Sequence, residues 1–205
     1  MSQVCDFQKP LSLQNSGFHF CFVRLFFAIE LPSEIQAALG RLKPKDENRE
    51  YRWSEPSLLH VTLAFLGEQP GERLQELQRI GEVAARDSRP GTLRLGEAGS
   101  FGSRRAPRVL WVGLDGDLEA MADLQTRLAA ALRQAGFALE DRPFTPHVTL
   151  ARRREQARGG PPAGWPPTDR LRHTPFAIDH LTLFESRLSP RGPTYTPLFQ
   201  FPLGG

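Results

Sequence analysis

Cysteine is nearly missing from this chain of 205 residues: Cys5 and Cys21 are the only two, and both lie near the N-terminus. That excludes a disulfide framework, and any cysteine-rich metal site in the body of the chain, and it fits a reducing cytoplasm. Long apolar runs are missing too. The densest, residues 18–31, is interrupted by His19 and Arg24, and neither a basic leader nor a small-residue cleavage site surrounds it. Neither a membrane span nor an export signal is therefore expected. Three catalytic signatures are also absent: the GxxxxGK[ST] phosphate loop, the GxSxG nucleophile elbow and the HExxH zinc helix. Nucleotide triphosphatase, serine hydrolase and zinc hydrolase readings lose their support, and no metal or cofactor is expected.

What is present reads as one compact unit. Hydrophobic residues make up 40% and charged residues 24% of the chain, an ordinary globular balance with enough length to bury a sizeable core. The net charge is only +3, but residues 142–172 hold seven arginines against Glu155 and Asp169. An anionic partner fits that bias.

Residues 24–31 read as a strand, and Ser33 with Gln36 as the capping box of a helix whose apolar face carries Ile35, Ala38, Leu39 and Leu42. A strand over residues 58–66 and an amphipathic helix over 72–86 follow, the latter with Leu74, Leu77, Ile80 and Ala84 inward. Residues 92–95 and 109–114 read as strands across a long connection. A long helix then starts at Asp117, turns Leu118, Met121, Leu124, Leu128 and Leu132 inward and stops at Gly136. The remaining strands are residues 147–151, 176–184 and 195–201. Strands and helices without strict alternation give the class α+β. Residues 1–23 stand outside this plan as a mobile extension to a single domain over 24–205. Val23 is a candidate initiator encoded by a GUG codon.

His-x-Thr-Leu occurs three times: His60-Val61-Thr62-Leu63, His147-Val148-Thr149-Leu150 and His180-Leu181-Thr182-Leu183. On a strand, each puts its histidine and threonine on one face. Ala64 and Ala151 come next on the faces of His60 and His147, leaving room for a ligand. The face of His180 reads Phe176, Ile178, His180, Thr182, Phe184, a core face, so His180 is expected to be structural. Two identical tetrapeptides 87 positions apart suggest duplication, with two similar lobes presenting their His-Thr faces across a shared cleft. Two imidazoles suit acid-base chemistry at phosphorus: one takes a proton from water, the other protonates the leaving oxygen, and the threonine hydroxyls donate to the phosphate oxygens.

These residues resemble the bacterial and archaeal RNA 2',3'-cyclic phosphodiesterases, also called 2'-5' RNA ligases, of the two-histidine phosphoesterase superfamily. The matching blocks run from Arg24-Leu25-Phe26 through Leu59-His60-Val61-Thr62-Leu63-Ala64-Phe65-Leu66-Gly67, Pro107-Arg108-Val109-Leu110-Trp111 and Arg142-Pro143-Phe144-Thr145-Pro146-His147-Val148-Thr149-Leu150-Ala151-Arg152. They end at Leu183-Phe184-Glu185-Ser186-Arg187-Leu188-Ser189-Pro190 and Tyr195-Thr196-Pro197-Leu198. The resemblance implies a bilobal α+β fold, two antiparallel-sheet lobes with pseudo-twofold symmetry about a central cleft and helices on the outer faces. It also implies hydrolysis of a terminal 2',3'-cyclic phosphate of RNA to a 2'-phosphomonoester, with reversible 2'-5' RNA ligation as an accompanying activity. His60 would then be the proton donor and His147 the base, with Thr62, Thr149 and Arg152 holding the phosphate.

Strict alternation from His147 nevertheless turns Arg153, not Arg152, to the active face, and puts Phe65 behind His60 as a core residue. The loop bearing Arg158 and Trp165 is a candidate grip on single-stranded RNA. The competing readings are a non-catalytic nucleotide- or RNA-binding module of the same fold and a phosphodiesterase for small cyclic nucleotides. A monomer is expected.

Overall fold

The computed structural model describes residues 22–44, 50–166, 175–190 and 192–204. The expected N-terminal extension falls almost wholly outside them. The first strand, β1 (Phe22–Glu30), opens at Phe22, two residues before the expected start. It is apolar along nearly its whole length because both its faces are covered. Leu25, Phe27 and Ile29 enter the main core, while Phe26 and Ala28 pack with Phe184 on the opposite face.

Then come α1 (Ser33–Gly40), β2 (Tyr51–Trp53), β3 (His60–Pro70), α2 (Leu74–Arg86), β4 (Gly91–Gly102), β5 (Pro107–Gly116), α3 (Leu118–Gln134), β6 (His147–Arg153), β7 (Phe176–Ile178), β8 (His180–Ser189) and β9 (Gly192–Pro202). The α+β class holds. The strands form one sheet in the order β7-β4-β5-β6-β3-β1-β8-β9, with β2 added alongside β6. Every pairing is antiparallel. Where β3 meets β6 the sheet narrows to one residue pair, Val61 with Val148. The expected lobes are thus two flanks of a single hydrogen-bonded sheet.

All three helices serve one core. Ile35 and Leu39 of α1, Leu77 and Ala84 of α2, and Met121, Leu124, Leu128 and Leu132 of α3 pack with Leu25, Phe27, Val61, Val148, Leu181 and Leu183. Gly81 lets α2 lie close on the sheet, since a Cβ there would stand 2.5 Å from the ring of Phe201. α3 ends as expected, with Gly136 at a φ of 79°, the left-handed position glycine adopts at little cost.

Several expectations are corrected. Ser33 caps nothing: the N-cap of α1 is Pro32 without a side-chain bond, and Gln36 instead donates to the Leu59 carbonyl. Asp117 likewise gives its own helix no side-chain cap. Its carboxylate accepts from the Thr92 backbone N–H, tying α3 to β4. Leu118 is 36% exposed rather than inward. Residues 176–184 are not one strand, because the chain breaks at Asp179 and sends β7 to β4 and β8 to β1, on opposite flanks of the sheet.

Candidate active site

β3 and β6 each begin on the histidine of the repeated tetrapeptide. Along β3, Ala64 pairs with Phe27 but Thr62 pairs with Ala28, so Leu63 is an extra residue. Along β6, Ala151 pairs with Leu110 but Thr149 pairs with Trp111, so Leu150 is extra. Both strands therefore carry a β-bulge at the same leucine. The carbonyls that the bulges release from the ladder find outside donors, the Gln125 side chain for Leu63 and the Ser54 backbone N–H for Leu150, as backbone polar groups require.

A bulge reverses the alternation beyond it. Leu63 and Ala64 are both buried, as are Leu150 and Ala151, and the next residue swings onto the face of the histidine. This bears on three expectations. Ala151 is fully buried and does not line the cleft, whereas Ala64 does line it, though only 6% exposed. Phe65 is not core: it is 41% exposed on the cleft, with the Arg24 guanidinium 4.6 Å over its ring. Arg152 reaches the cleft, whereas Arg153 turns away and donates to the carbonyls of Ala157 and Gly159.

The two imidazoles are held alike. His60 Nδ1 lies 2.7 Å from the Leu58 carbonyl, and His147 Nδ1 lies 2.7 Å from the Thr145 carbonyl. A carbonyl only accepts, so Nδ1 carries the proton in both rings and Nε2 is left to exchange one. His60 Nε2 stands 3.0 Å from Thr62 Oγ1. An antiparallel register centred on Val61 and Val148 also directs His60 toward Thr149 and Thr62 toward His147.

Burial lowers the pKa of His60 below the usual 6.5, outweighing the proton-favouring bond to Leu58, and the charges of Arg152 and His147 lower it further. His147 is lowered in the same way by burial, against its bond to Thr145, and by Arg152.

His60, Thr62, His147, Thr149 and Arg152 all line one cleft of about 2280 Å³, together with eight basic side chains, Arg152 included, and only two acidic ones. Of the seven arginines in residues 142–172, Arg142, Arg152 and Arg154 line it, Arg153 and Arg158 do not, and Arg170 and Arg172 lie outside the described residues. Aromatic rings back each histidine: Tyr195 at 5.3 Å and Phe26 at 4.9 Å from His60, Phe101 at 5.0 Å from His147. Alternation alone gave no sign of Phe101 or Tyr195. Tyr195 lay in a family-like block that could have flagged it. Among the described residues no three His, Cys, Asp or Glu side chains gather to hold a metal ion.

His180 is not brought to this site. Nor is it core: its side chain is 49% exposed and bonds Asp179. Trp165 packs edge-on against Trp53, with ring centroids 6.1 Å apart, and neither it nor Arg158 lines the cleft.

The model of the 2'-5' RNA ligase superfamily matches residues 31–189. The chain is 35% identical over 188 residues to the RNA 2',3'-cyclic phosphodiesterase of Thermus thermophilus, covering 89% of this chain and 91% of the relative. It is 32% identical over 185 residues to that of Escherichia coli K12, covering 88% and 96%. To that of Geobacillus stearothermophilus it is 31% identical over 187 residues, 88% of this chain but 57% of the relative. Among solved structures, a protein of Thermus thermophilus superposes with a TM-score of 0.75 at 34% identity, covering 89% and 98% of the two chains. E. coli LigT complexed with 3'-AMP gives 0.72 at 31%, covering 90% and 99%. With sequence and fold matched over nearly the whole length, the chain belongs to the RNA 2',3'-cyclic phosphodiesterase family of the 2'-5' RNA ligase superfamily.

Proposed function

We propose that this protein hydrolyses the 2',3'-cyclic phosphate at the end of an RNA to a 2'-phosphomonoester, with no metal ion. The observation that carries the reading is the pair of imidazoles on one cleft, each anchored through Nδ1 so that Nε2 is the nitrogen left to exchange a proton, with Thr62 Oγ1 beside that of His60. His147 Nε2 takes a proton from water as the oxygen attacks phosphorus. The bond from phosphorus to O3' breaks, and His60 Nε2 delivers its proton to O3'. Thr62 and Thr149 donate to the non-bridging oxygens, and Arg152 balances their charge. With a ribose 5'-hydroxyl in place of water as the nucleophile, the same steps form a P–O5' bond as P–O3' breaks and so join a 2'-5' linkage; run backwards, with the 5'-oxygen as leaving group, they cleave it. The domain over residues 24–205 acts as a monomer.

A twofold origin for the site is part of this proposal. The stretches His60 to Phe65 and His147 to Arg152 share one burial sequence and one bulge, and their valines pair with each other. The cleft also exceeds the ~300–1,000 Å³ of small-molecule pockets, which favours an RNA end over a free cyclic nucleotide.

The test is an RNA ending in 2',3'-cyclic phosphate, incubated with the protein in EDTA, with the product end assigned by comigration with 2'- and 3'-phosphate standards and by its resistance to a 3'-specific phosphatase. A 2'-phosphate end is expected. A 3'-phosphate end, or dependence on added metal, would sink the mechanism.

The pH profile follows from the lowered pKa values. The active form holds one protonated and one neutral imidazole, and it is most populated between the two pKa values, both of which lie below 6.5 in the free protein. The bell for kcat/KM should peak on the acid side of 6.5, and a peak above 7.5 would contradict the assignment.

A further inference from the structure

Taking the proposed reaction as its starting point, we propose that Arg24, Arg52 and Arg152, gathered around Tyr195, form a second anion subsite for the internal phosphodiester adjoining the cyclic end. The enzyme is then built to read an oligonucleotide end and not a lone cyclic nucleotide.

The first argument is a repulsion left uncompensated. Arg52 of β2 and Arg152 of β6 are direct cross-strand partners, and like charges placed opposite one another destabilise a sheet unless an anion lies between them. No carboxylate forms an ion pair with Arg24, Arg52 or Arg152 among the described residues. Even Glu68, opposite Arg24 in the register, forms none.

The second argument is placement. Arg52 reaches from β2 across to the β8–β9 turn, where its Nη2 would stand 2.8 Å from a Cβ added at Gly192. Arg24 projects from β1 on the same face as Phe26 and stacks over Phe65. Tyr195 of β9 lies 5.0 Å from Phe26 and 5.3 Å from His60, ring to ring. All these residues line the cleft. The cluster thus begins one aromatic ring beyond His60, and Arg152 is shared between it and the reacting phosphate.

Burial raises the phenol pKa of Tyr195 above its usual 10, against the pull of Arg152, Arg24 and Arg52. Its hydroxyl therefore stays protonated and able to donate to an anion across the working pH range. A backbone phosphodiester carries one negative charge and two acceptor oxygens at every such pH, which suits three cations and one hydroxyl donor.

Arg52→Ala tests this, since Arg52 is exposed on a short edge strand. Binding is read first, by competition fluorescence anisotropy, with a trinucleotide ending in 2'-phosphate against a nucleoside 2'-phosphate. The variant should bind the trinucleotide about tenfold more weakly and the nucleoside 2'-phosphate within twofold of the parent. Its trinucleotide affinity should also depend less on salt, the slope of log affinity against log salt falling by about 0.7, the value of one single-strand phosphate contact. The same split should appear in kcat/KM for the matching cyclic phosphates, carried by KM. Equal losses on both ligands, or no loss on either, overturn the subsite. If the parent protein hydrolyses neither cyclic phosphate, the reaction proposed above fails, and the binding comparison still decides the subsite.

Discussion

Replacing either His60 or His147 with alanine lowers kcat by a hundredfold or more, about 2.7 kcal/mol of transition-state stabilisation, while the fold survives. The size follows from what each ring supplies, since a positioned general acid or base is worth ~10²–10⁴ in rate. The two losses should not add in the double variant, because the proton transfers belong to one concerted event. The roles separate with the leaving group. An aryl phosphodiester expels a weakly basic oxygen that needs no proton, so the His60→Ala defect should shrink on it while the His147→Ala defect persists. His180→Ala and Arg153→Ala are the controls, as neither side chain lines the cleft, and both should keep kcat within a few-fold. Steady-state kinetics beside a thermal unfolding curve reads all of these. If His180→Ala abolished turnover in a folded protein while His147→Ala did not, the assignment of the pair would be wrong.

Val148→Asp should leave no folded protein. Val148 is fully buried, pairs with Val112 on one side and Val61 on the other, and belongs to the core that all three helices cover. An unpaired carboxylate there costs several kcal/mol, against a total of about 5–15 kcal/mol for a domain. Val148→Ala, which adds no charge, should lower the unfolding free energy by about 2 kcal/mol through lost burial and a small cavity. Val83→Ala on the solvent side of α2, where Val83 is 47% exposed, should stay within about 0.5 kcal/mol. Urea unfolding measures all three, and a Val148→Asp protein with the parent midpoint would refute the burial of this junction.

The sequence made some of this legible and concealed the rest for identifiable reasons. Met121, Leu124, Leu128 and Leu132 recur at helical spacing, and all four are fully buried on α3. The histidines of the two tetrapeptides stood out because an identical string appears twice. The face of Phe65 was misread, and Arg152 stood against strict alternation, because a bulge is defined against the partner strand and a period counted along one chain cannot register an extra residue. The break at Asp179 was hidden for a related reason: Phe176, Ile178, Thr182 and Phe184 keep one alternating phase across it, although the two strands end on different flanks. Ser33 and Gln36 have cap-like spacing, but the Leu59 carbonyl competes for the Gln36 side chain. At three residues, β2 is too short to show any period.

The junction of β3 and β6 has a mechanical consequence. Each imidazole branches from a residue adjoining the Val61–Val148 pair, so their separation is set by two short pieces of backbone at the floor of the cleft. Tyr195 and Phe101 stand on other strands, β9 and β4. Outward flexing of those walls loosens the grip on a ligand without altering the spacing of the reacting groups. Grip and chemistry are thereby decoupled: changes in the walls should register in KM and product release, and changes beside the junction in kcat.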